Sequence, residues 1–133
     1  NSVSSSILPM MSSHSDAEGN SVYIGSERTA IITLDSVADA YLNDSSNCFI
    51  KIDTQGYESQ VLDGAINTLK KAKGILCELS LVPLYEGQHL WKKIIERFEK
   101  EGFVLWSMQK AFTDKRNGRT LQIDAVFLRD NVI

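Results

Sequence analysis

Residues 48–53 read Cys-Phe-Ile-Lys-Ile-Asp (CFIKID), a short apolar run that ends in a carboxylate. A break at Gln55-Gly56 follows, and the apolar residues of 61–69 then recur at helical spacing, with Gly74 as a predicted stop. Residues 75–79 (ILCEL) form a second apolar run of strand length. Such runs are typical of parallel strands that are covered on both faces. The stretch therefore predicts a β-α-β unit with two parallel neighbouring strands.

The sequence beyond this unit continues the alternation. Apolar residues of 90–98 recur at helical spacing, and Gly102 is expected to close that helix. Residues 103–108 predict a third strand, the polar run 114–119 (DKRNGR) a turn, and residues 121–128 a fourth strand. The element order β-α-β-α-β-β predicts an α/β fold with helices on both faces of the sheet and an antiparallel final strand.

The segment before residue 48 has a different character. Residues 1–27 are rich in serine and are expected to be irregular and to lean on the rest of the domain, which spans residues 28–133. Residues 28–34 (RTAIITL) are β-prone, and Asp35 with the serine after it is a plausible N-cap for a short helix. Residues 43–47 (NDSSN) predict a turn.

Composition and charge exclude several classes of protein. The 133 residues are enough for one domain, and 43% hydrophobic with 23% charged residues is ordinary globular composition. A formal net charge of -3 and a pI of about 5.3 count against a nucleic-acid-binding protein, which would usually be basic. The sequence lacks both an apolar run long enough for a membrane span and a secretory signal, so we expect no membrane partner.

The cysteines and histidines carry little functional signal. Cys48 and Cys77 each lie in an apolar run, which favours buried free thiols in a reducing compartment and hence a cytoplasmic protein, with a disulfide as the less favoured alternative. His14 and His89 are isolated from each other and from the cysteines. Because no ligand-type spacing is present, we expect no metal site.

Several long stretches resemble one protein family. Residues 49–58 (FIKIDTQGYE), followed by residues 61–65 (VLDGA), closely resemble the signature of the FkbM family of S-adenosylmethionine-dependent methyltransferases. Residues 78–88 (ELSLVPLYEGQ) resemble the next strand and loop of that family, and residues 33–36 (TLDS) are similar as well. The resemblance covers almost the whole chain. It implies an α/β fold that is the C-terminal half of a class I methyltransferase (Rossmann-like) sheet, with parallel strands, one antiparallel final strand and helices on both faces.

The sequence also departs from the family pattern. Family members begin with a strand and a Gly-rich turn that holds the methionine part of the cofactor, and their second strand ends in an acidic residue for the ribose. Nothing in this sequence matches either motif. By resemblance the chain starts after the third sheet strand, and about half of the usual cofactor site, which spans both halves of such a sheet, is absent. We therefore expect a fragment, or a chain that acts together with another polypeptide.

The resemblance and the position of the first strand point to a cofactor site around Asp53. Ligands of open α/β sheets bind beyond the carboxyl ends of the strands, which is where Asp53 lies. Its carboxylate is expected to hold or deprotonate a hydroxyl nucleophile, or to favour the sulfonium cation of S-adenosylmethionine. Alternatively, Asp53 caps the following helix. Gln55 and Gly56 form the strand-to-helix turn and are assigned to cofactor binding, with ordinary turn chemistry as the alternative.

Three further residues complete the predicted site. Glu78 is a charged residue inside a buried type of strand, so it should have a partner or face a cleft, and we assign it a catalytic role beside Asp53. Tyr85 follows that strand and is expected to wall the substrate pocket, unless it only packs the loop. Glu58 has two alternative roles, either substrate binding or a favourable interaction with the dipole of the helix that it begins.

Two hypotheses about function follow. In the first, the parent protein transfers a methyl group from S-adenosylmethionine to a hydroxyl of a small molecule or sugar, while the isolated chain is inactive. In the second, the chain is a truncated, non-catalytic α/β module that binds a partner chain. Because the strand of residues 48–53 would form an unprotected sheet edge, we also expect a homodimer through that edge.

Overall fold

A computed structural model describes residues 5–43 and 47–130, and its centre is one mixed sheet of four strands. The strands are β1 (Cys48–Ile52), β2 (Ala72–Ser80), β3 (Phe103–Lys110) and β4 (Gln122–Arg129). Their spatial order is β1-β2-β4-β3; β1 pairs in parallel with β2, and β4 is antiparallel to both β2 and β3. The α/β class and the antiparallel final strand are thus confirmed, and that strand lies inside the sheet.

Five short α-helices accompany the sheet in the described part of the chain. They are α1 (Ser12–Ala17), α2 (Asp35–Ala38), α3 (Glu58–Asp63), α4 (Ile66–Lys71) and α5 (Trp91–Lys100), and a 3-10 helix (Gly19–Ser21) follows α1. Helix α5 ends at Lys100, and Gly102 closes it two residues later, as predicted, with a φ of 82°. The single helix predicted over residues 61–69 is wrong, because α3 and α4 are separate.

The break between α3 and α4 is stabilised by a residue distant in sequence. The carboxylate of Asp35 accepts hydrogen bonds from the backbone N–H groups of Asn67 (2.9 Å) and Thr68 (2.8 Å), and from the Thr68 hydroxyl (2.7 Å). These are the first N–H groups of α4, which have no partner within the helix. Asp35 therefore caps α4, and the prediction that it caps its own helix is wrong. The backbone N–H of Asp35 also donates to the carbonyl of Gly64, between the two helices.

Two other predicted boundaries are wrong for identifiable reasons. Gly74 lies within β2 and does not stop a helix; a Cβ built on it would lie 2.6 Å from the Phe49 ring, which covers this position from β1. Residues 28–34 have no strand structure. Ile31 and Ile32 in that segment are exposed, and Thr33 packs against Gly64. The segment thus docks on the α3–α4 break instead of joining the sheet.

The main hydrophobic core lies on one face of the sheet. Ile52, Ile75 and Phe127 point from three strands into this core. The same core receives buried residues from three helices, namely Leu62 of α3, Leu69 of α4, and Ile94 and Phe98 of α5. The prediction of helices on both faces is therefore wrong for the described residues.

The opposite face of the sheet is open. Phe49 of β1 and Val104 of β3 are 54% and 40% exposed there. Because β1 is buried on one face only, its exposure alternates along the strand, as in a half-covered strand. β1 also lies at one edge of the sheet, as predicted. The homodimer inferred from that edge remains a prediction.

A second apolar cluster attaches the serine-rich segment to the sheet. Tyr85 and Leu84 are fully buried in this cluster together with Ala17 of α1. Met10 forms an isolated antiparallel bridge with Tyr85, so this part of the segment is ordered along the loop that follows β2. The prediction of an irregular segment is therefore wrong for residues 12–21. Of the helices described, none is both long and apolar enough to cross a bilayer.

Candidate active site

Asp53 lies at the carboxyl end of β1 and remains accessible to solvent. Its side chain is 36% exposed, and Oδ2 lies 3.2 Å from Nζ of Lys51. Its other oxygen, Oδ1, accepts a hydrogen bond of 2.9 Å from Nε2 of Gln55. Because β1 is parallel to β2, this carboxylate lies at the sheet edge where ligands of open α/β sheets bind. Asp53 therefore faces outward at the position that the sequence predicted.

Glu78 lies close to Asp53 on the neighbouring strand. Oε2 of Glu78 accepts hydrogen bonds from Nε2 of Gln55 (2.9 Å) and from Nε2 of Gln122 (2.7 Å). The amide group of Gln55 therefore bridges the two carboxylates. The expectation that the buried charge of Glu78 would have partners is confirmed.

Burial changes the acidity of Glu78. Removal from water, followed by the negative charges of Asp53 and Asp124, raises the pKa of Glu78 to about 7. The hydrogen bond from Gln55 acts in the opposite direction, because an N–H donor favours the ionised form. A carboxyl group with a pKa near neutrality can exchange a proton with a hydroxyl at physiological pH.

The turn between β1 and α3 has an unusual backbone. Gln55 has a φ of 51° and Gly56 a φ of 99°, so both lie in the left-handed region. The hydroxyl of Tyr85 donates a hydrogen bond of 2.7 Å to Oε1 of Gln55, and the Ser6 hydroxyl donates one of 2.6 Å to the Gln55 carbonyl. The turn is therefore held on two sides by side chains from outside the β1–α3 segment.

Glu58 and Tyr85 lie beneath this turn. Glu58 is buried, and its Oε1 accepts hydrogen bonds from the backbone N–H groups of Thr54 (3.2 Å) and Gly56 (3.0 Å) and from the Thr54 hydroxyl (3.1 Å). Tyr85 is fully buried, and burial raises the pKa of its hydroxyl. Both residues contact the turn residues, Glu58 through Gly56 and Tyr85 through Gln55, and within the described part of the chain neither forms a hydrogen bond with Asp53 or Glu78. Because both are buried, neither forms the solvent-facing wall of a substrate pocket.

Sequence reasoning missed Gln122. This residue lies on β4 opposite Ser80 of β2, and its side chain is buried with its amide between Glu78 and Ser80. The available signal was the alternation of residues 121–128, in which Gln122 and Asp124 share one side of the strand. That pattern could not show which strand the polar side would meet.

A separate groove lies away from these residues. It has a volume of about 390 Å³ between α3 and α5, and its lining includes Asp63, His89 and Arg97. Arg97 pairs there with Asp63 at 2.8 Å and with Glu101 at 3.2 Å. None of the predicted site residues lines this groove, which presents solvated ion pairs. We therefore place the candidate active site at the two carboxylates.

The arrangement suits a ligand that carries positive charge beside a hydroxyl. The site holds one exposed and one half-buried carboxylate, with a neutral amide between them. An ionised carboxylate stabilises a cation, and a carboxylate of raised pKa accepts a proton. Asp53 directly follows β1, and Glu78 lies near the end of β2, which is the end of the parallel strands where open α/β sheets bind their ligands.

Comparison with known families identifies the class more closely. The model of the methyltransferase FkbM domain matches residues 2–105. The chain belongs to the FkbM methyltransferase family, and membership indicates methyltransferase activity. Neither the curated proteins nor the solved structures gave a match.

Proposed function

We propose that this protein acts in an O-methyltransferase that uses S-adenosylmethionine and methylates a hydroxyl of a small molecule or sugar. The observation that carries this proposal is the pair formed by Asp53 and Glu78, joined by the Gln55 amide at 2.9 Å on either side. Family membership supports methyl transfer in general. The chemistry of the pair supports a hydroxyl as the acceptor, because alkylation of a hydroxyl releases a proton that a nearby base can take.

The two carboxylates have different roles in this proposal. Asp53 is the more exposed of the two, so it provides the negative charge that faces the cofactor. Glu78 accepts the proton of the acceptor hydroxyl. As the new carbon–oxygen bond forms, the carbon–sulfur bond breaks and its electron pair remains on sulfur. Positioning the two reactants in line supplies most of the acceleration, and the base makes a smaller contribution.

The donor would bind at the β1–α3 turn. S-adenosylmethionine supplies an electrophilic methyl group on a positively charged sulfonium and leaves as a neutral thioether. Asp53 and Gln55 fit this group, since the Asp53 carboxylate faces solvent beside the turn, and Gly56 lets the turn pack directly on Tyr85 behind them. Glu58 and Tyr85 support the acceptor side by holding that turn in place.

Titration by NMR tests the cofactor assignment directly. In a ¹⁵N-labelled sample of this chain, S-adenosylmethionine should shift the amide signals of residues 53–56 and of Glu78, with a weak affinity of roughly millimolar Kd. S-adenosylhomocysteine should bind more weakly, because it lacks the positive charge that Asp53 faces. Asp53→Asn should remove that difference, whereas Asp63→Asn, outside the site, should leave it unchanged. Equal binding of both ligands by the unmodified chain would contradict the assignment.

Activity tests the acceptor chemistry. In the complete enzyme, Asp53→Ala should reduce methyl transfer to hydroxyl compounds far more than it lowers the melting temperature. Loss of the fold with normal transfer per folded molecule would show instead that Asp53 has only a structural role, through its contacts with Lys51 and Gln55.

A further inference from the structure

We propose that Gln55, Tyr85 and Gln122 are positioning residues that set the orientation and proton affinity of Glu78. The catalytic meaning of this inference rests on the proposed function. The physical relationship itself requires neither cofactor nor substrate.

The orientation of the Gln55 amide is fixed by Tyr85 together with the two carboxylates. An amide has a donor end and an acceptor end that differ little in shape, so its orientation is decided by its partners. The hydroxyl of Tyr85 donates to Oε1, and Nε2 then points to the two carboxylates, Asp53 and Glu78. Both carboxylates are acceptors when ionised, so the reverse orientation would place a carbonyl oxygen against them and would be unfavourable.

Tyr85 is itself held in place. Its ring is fully buried and packs against the imidazole of His14, with ring centroids 5.3 Å apart. The backbone N–H of Tyr85 donates to Oε1 of Gln88 at 2.7 Å. A Cβ built on Gly56 would lie 2.9 Å from the Tyr85 Cβ, so the turn is seated directly on this residue. The hydroxyl therefore holds its position relative to Gln55.

Gln122 completes the arrangement from the other side. Its Nε2 donates to the same oxygen of Glu78, Oε2, that receives the bond from Gln55. Two N–H donors on one oxygen fix the plane of the carboxyl group and direct Oε1 away from both amides. We assign Oε1 as the oxygen that accepts the proton of the hydroxyl acceptor.

Five titratable groups surround Glu78 and must be considered in any measurement. They are Asp53 at the end of β1, Cys77 next to Glu78 on β2, Asp124 on β4, Glu58 at the start of α3, and Tyr85 itself. The three acids raise the proton affinity of Glu78, and the Gln55 amide lowers it. Release of the Gln55 amide should therefore raise the pH at which Glu78 titrates.

The experiment is a carboxyl NMR titration of Glu78 in a double-mutant cycle. Tyr85→Phe keeps the buried ring, removes the hydroxyl, and should raise the titration midpoint of Glu78 by roughly 0.5 to 1 pH unit. Gln55→Met should raise it at least as much. In the Gln55→Met background, Tyr85→Phe should produce no further change, because the hydroxyl acts through the amide. Tyr41→Phe, at an exposed tyrosine, is the matched control and should leave the midpoint unchanged.

A purely structural role for Tyr85 gives a different result. It would lower the stability in both backgrounds, and the Glu78 midpoint would not move in the Tyr85→Phe variant; that outcome would overturn the inference. An equal shift in both backgrounds would also overturn it. Gln122→Met provides an independent arm that leaves the turn intact, and it should raise the midpoint as well; no change there would contradict the assignment of Gln122. Because no methyl donor is present, failure of the proposed function cannot produce any of these outcomes.

Discussion

Glu78 of β2 lies directly opposite Asp124 of β4 in the antiparallel register of the two strands. Like charges at directly opposite positions destabilise a sheet. The structure limits this repulsion by giving Glu78 two amide donors and by raising its pKa to about 7, so that the pair carries less than its full charge near neutrality. The arrangement therefore lowers stability in return for a carboxyl group that is able to exchange a proton.

Glu78→Gln should stabilise the protein at alkaline pH. The folded-state pKa of Glu78, about 7, lies above its ordinary value of 4.5, so the folded protein holds this proton more tightly than the unfolded chain does. Unfolding free energy should therefore fall as the pH rises from about 4.5 to about 7. At pH 8 we expect Glu78→Gln to be more stable than the unmodified protein by about 2 kcal/mol, and at pH 4 nearly equal to it. Urea unfolding at both pH values measures this difference, and Glu99→Gln is an exposed control.

Gly56→Ala should be more destabilising than the same change at Gly87. Both glycines have a positive φ, at 99° and 72°, so an alanine is strained at either position. At Gly56 the added Cβ would also lie 2.9 Å from the Tyr85 Cβ, whereas at Gly87 it would meet nothing within 4 Å. We expect a loss of about 1 kcal/mol at Gly87 and roughly 2 to 4 kcal/mol at Gly56, by urea unfolding. Equal losses of unfolding free energy in the two variants would show that the contact between Gly56 and Tyr85 does not contribute to the cost of the substitution.

Asp35→Ala should destabilise the region around α4. It removes the acceptor of two backbone N–H groups at the start of that helix and of the Thr68 hydroxyl. We expect a loss of about 1 to 2 kcal/mol, within the range for helix caps. Asp39→Ala is the matched control, since Asp39 is a highly exposed partner of Lys71 on the surface. Hydrogen exchange should show faster opening at the amides of Asn67 and Thr68 in the first variant only.

The parts of the fold that could be predicted from the sequence depend on local patterns. The apolar run of β1 and the glycine at the end of α5 carry their own signals, and both were located correctly. The errors arise where a distant residue decides the local structure. Gly74 is accommodated in a strand because the Phe49 ring covers it, and the α3–α4 break depends on Asp35, 33 residues before Thr68.

The same distinction applies to the site. Asp53 directly follows the apolar run of β1, and Glu78 is the charged residue within the apolar run of β2, so the sequence marks both. Their proximity follows from the parallel pairing of β1 and β2. Gln122 lies 44 residues from Glu78 in the chain, and only the position of β4 beside β2 brings them together. No local pattern could indicate that contact.

The exposed edge of β1 leads us to expect self-association of this chain. Antiparallel pairing of two β1 strands centred on Ile50 would place Phe49 of each copy opposite Lys51 of the other, an aromatic–cation contact on the open face. Sedimentation should therefore show a dimer that dissociates on dilution. Phe49→Lys places like charges opposite each other and should favour the monomer. A protein that sediments as a monomer at all concentrations would contradict this expectation.

Arg129, at the end of β4, should be among the most important side chains for stability. Its guanidinium donates to three backbone carbonyls, those of Ala72 (3.0 Å), Glu101 (2.9 Å) and Leu69 (2.5 Å). It also lies over the Phe103 ring, 4.2 Å from the centroid. One side chain thus joins the end of α4, the start of β2 and the end of α5.

Arg129→Ala should therefore lower the unfolding free energy by roughly 3 kcal/mol, because it leaves three carbonyls without their donor. Arg129→Lys keeps the charge, but a single ammonium cannot reproduce the planar fork of donors, so it should recover less than half of the loss. Arg119→Ala, at an exposed arginine of the turn between β3 and β4, is the control and should change stability by less than about 0.5 kcal/mol. Full recovery by lysine would show that the positive charge, and not the geometry of the three hydrogen bonds, stabilises this junction.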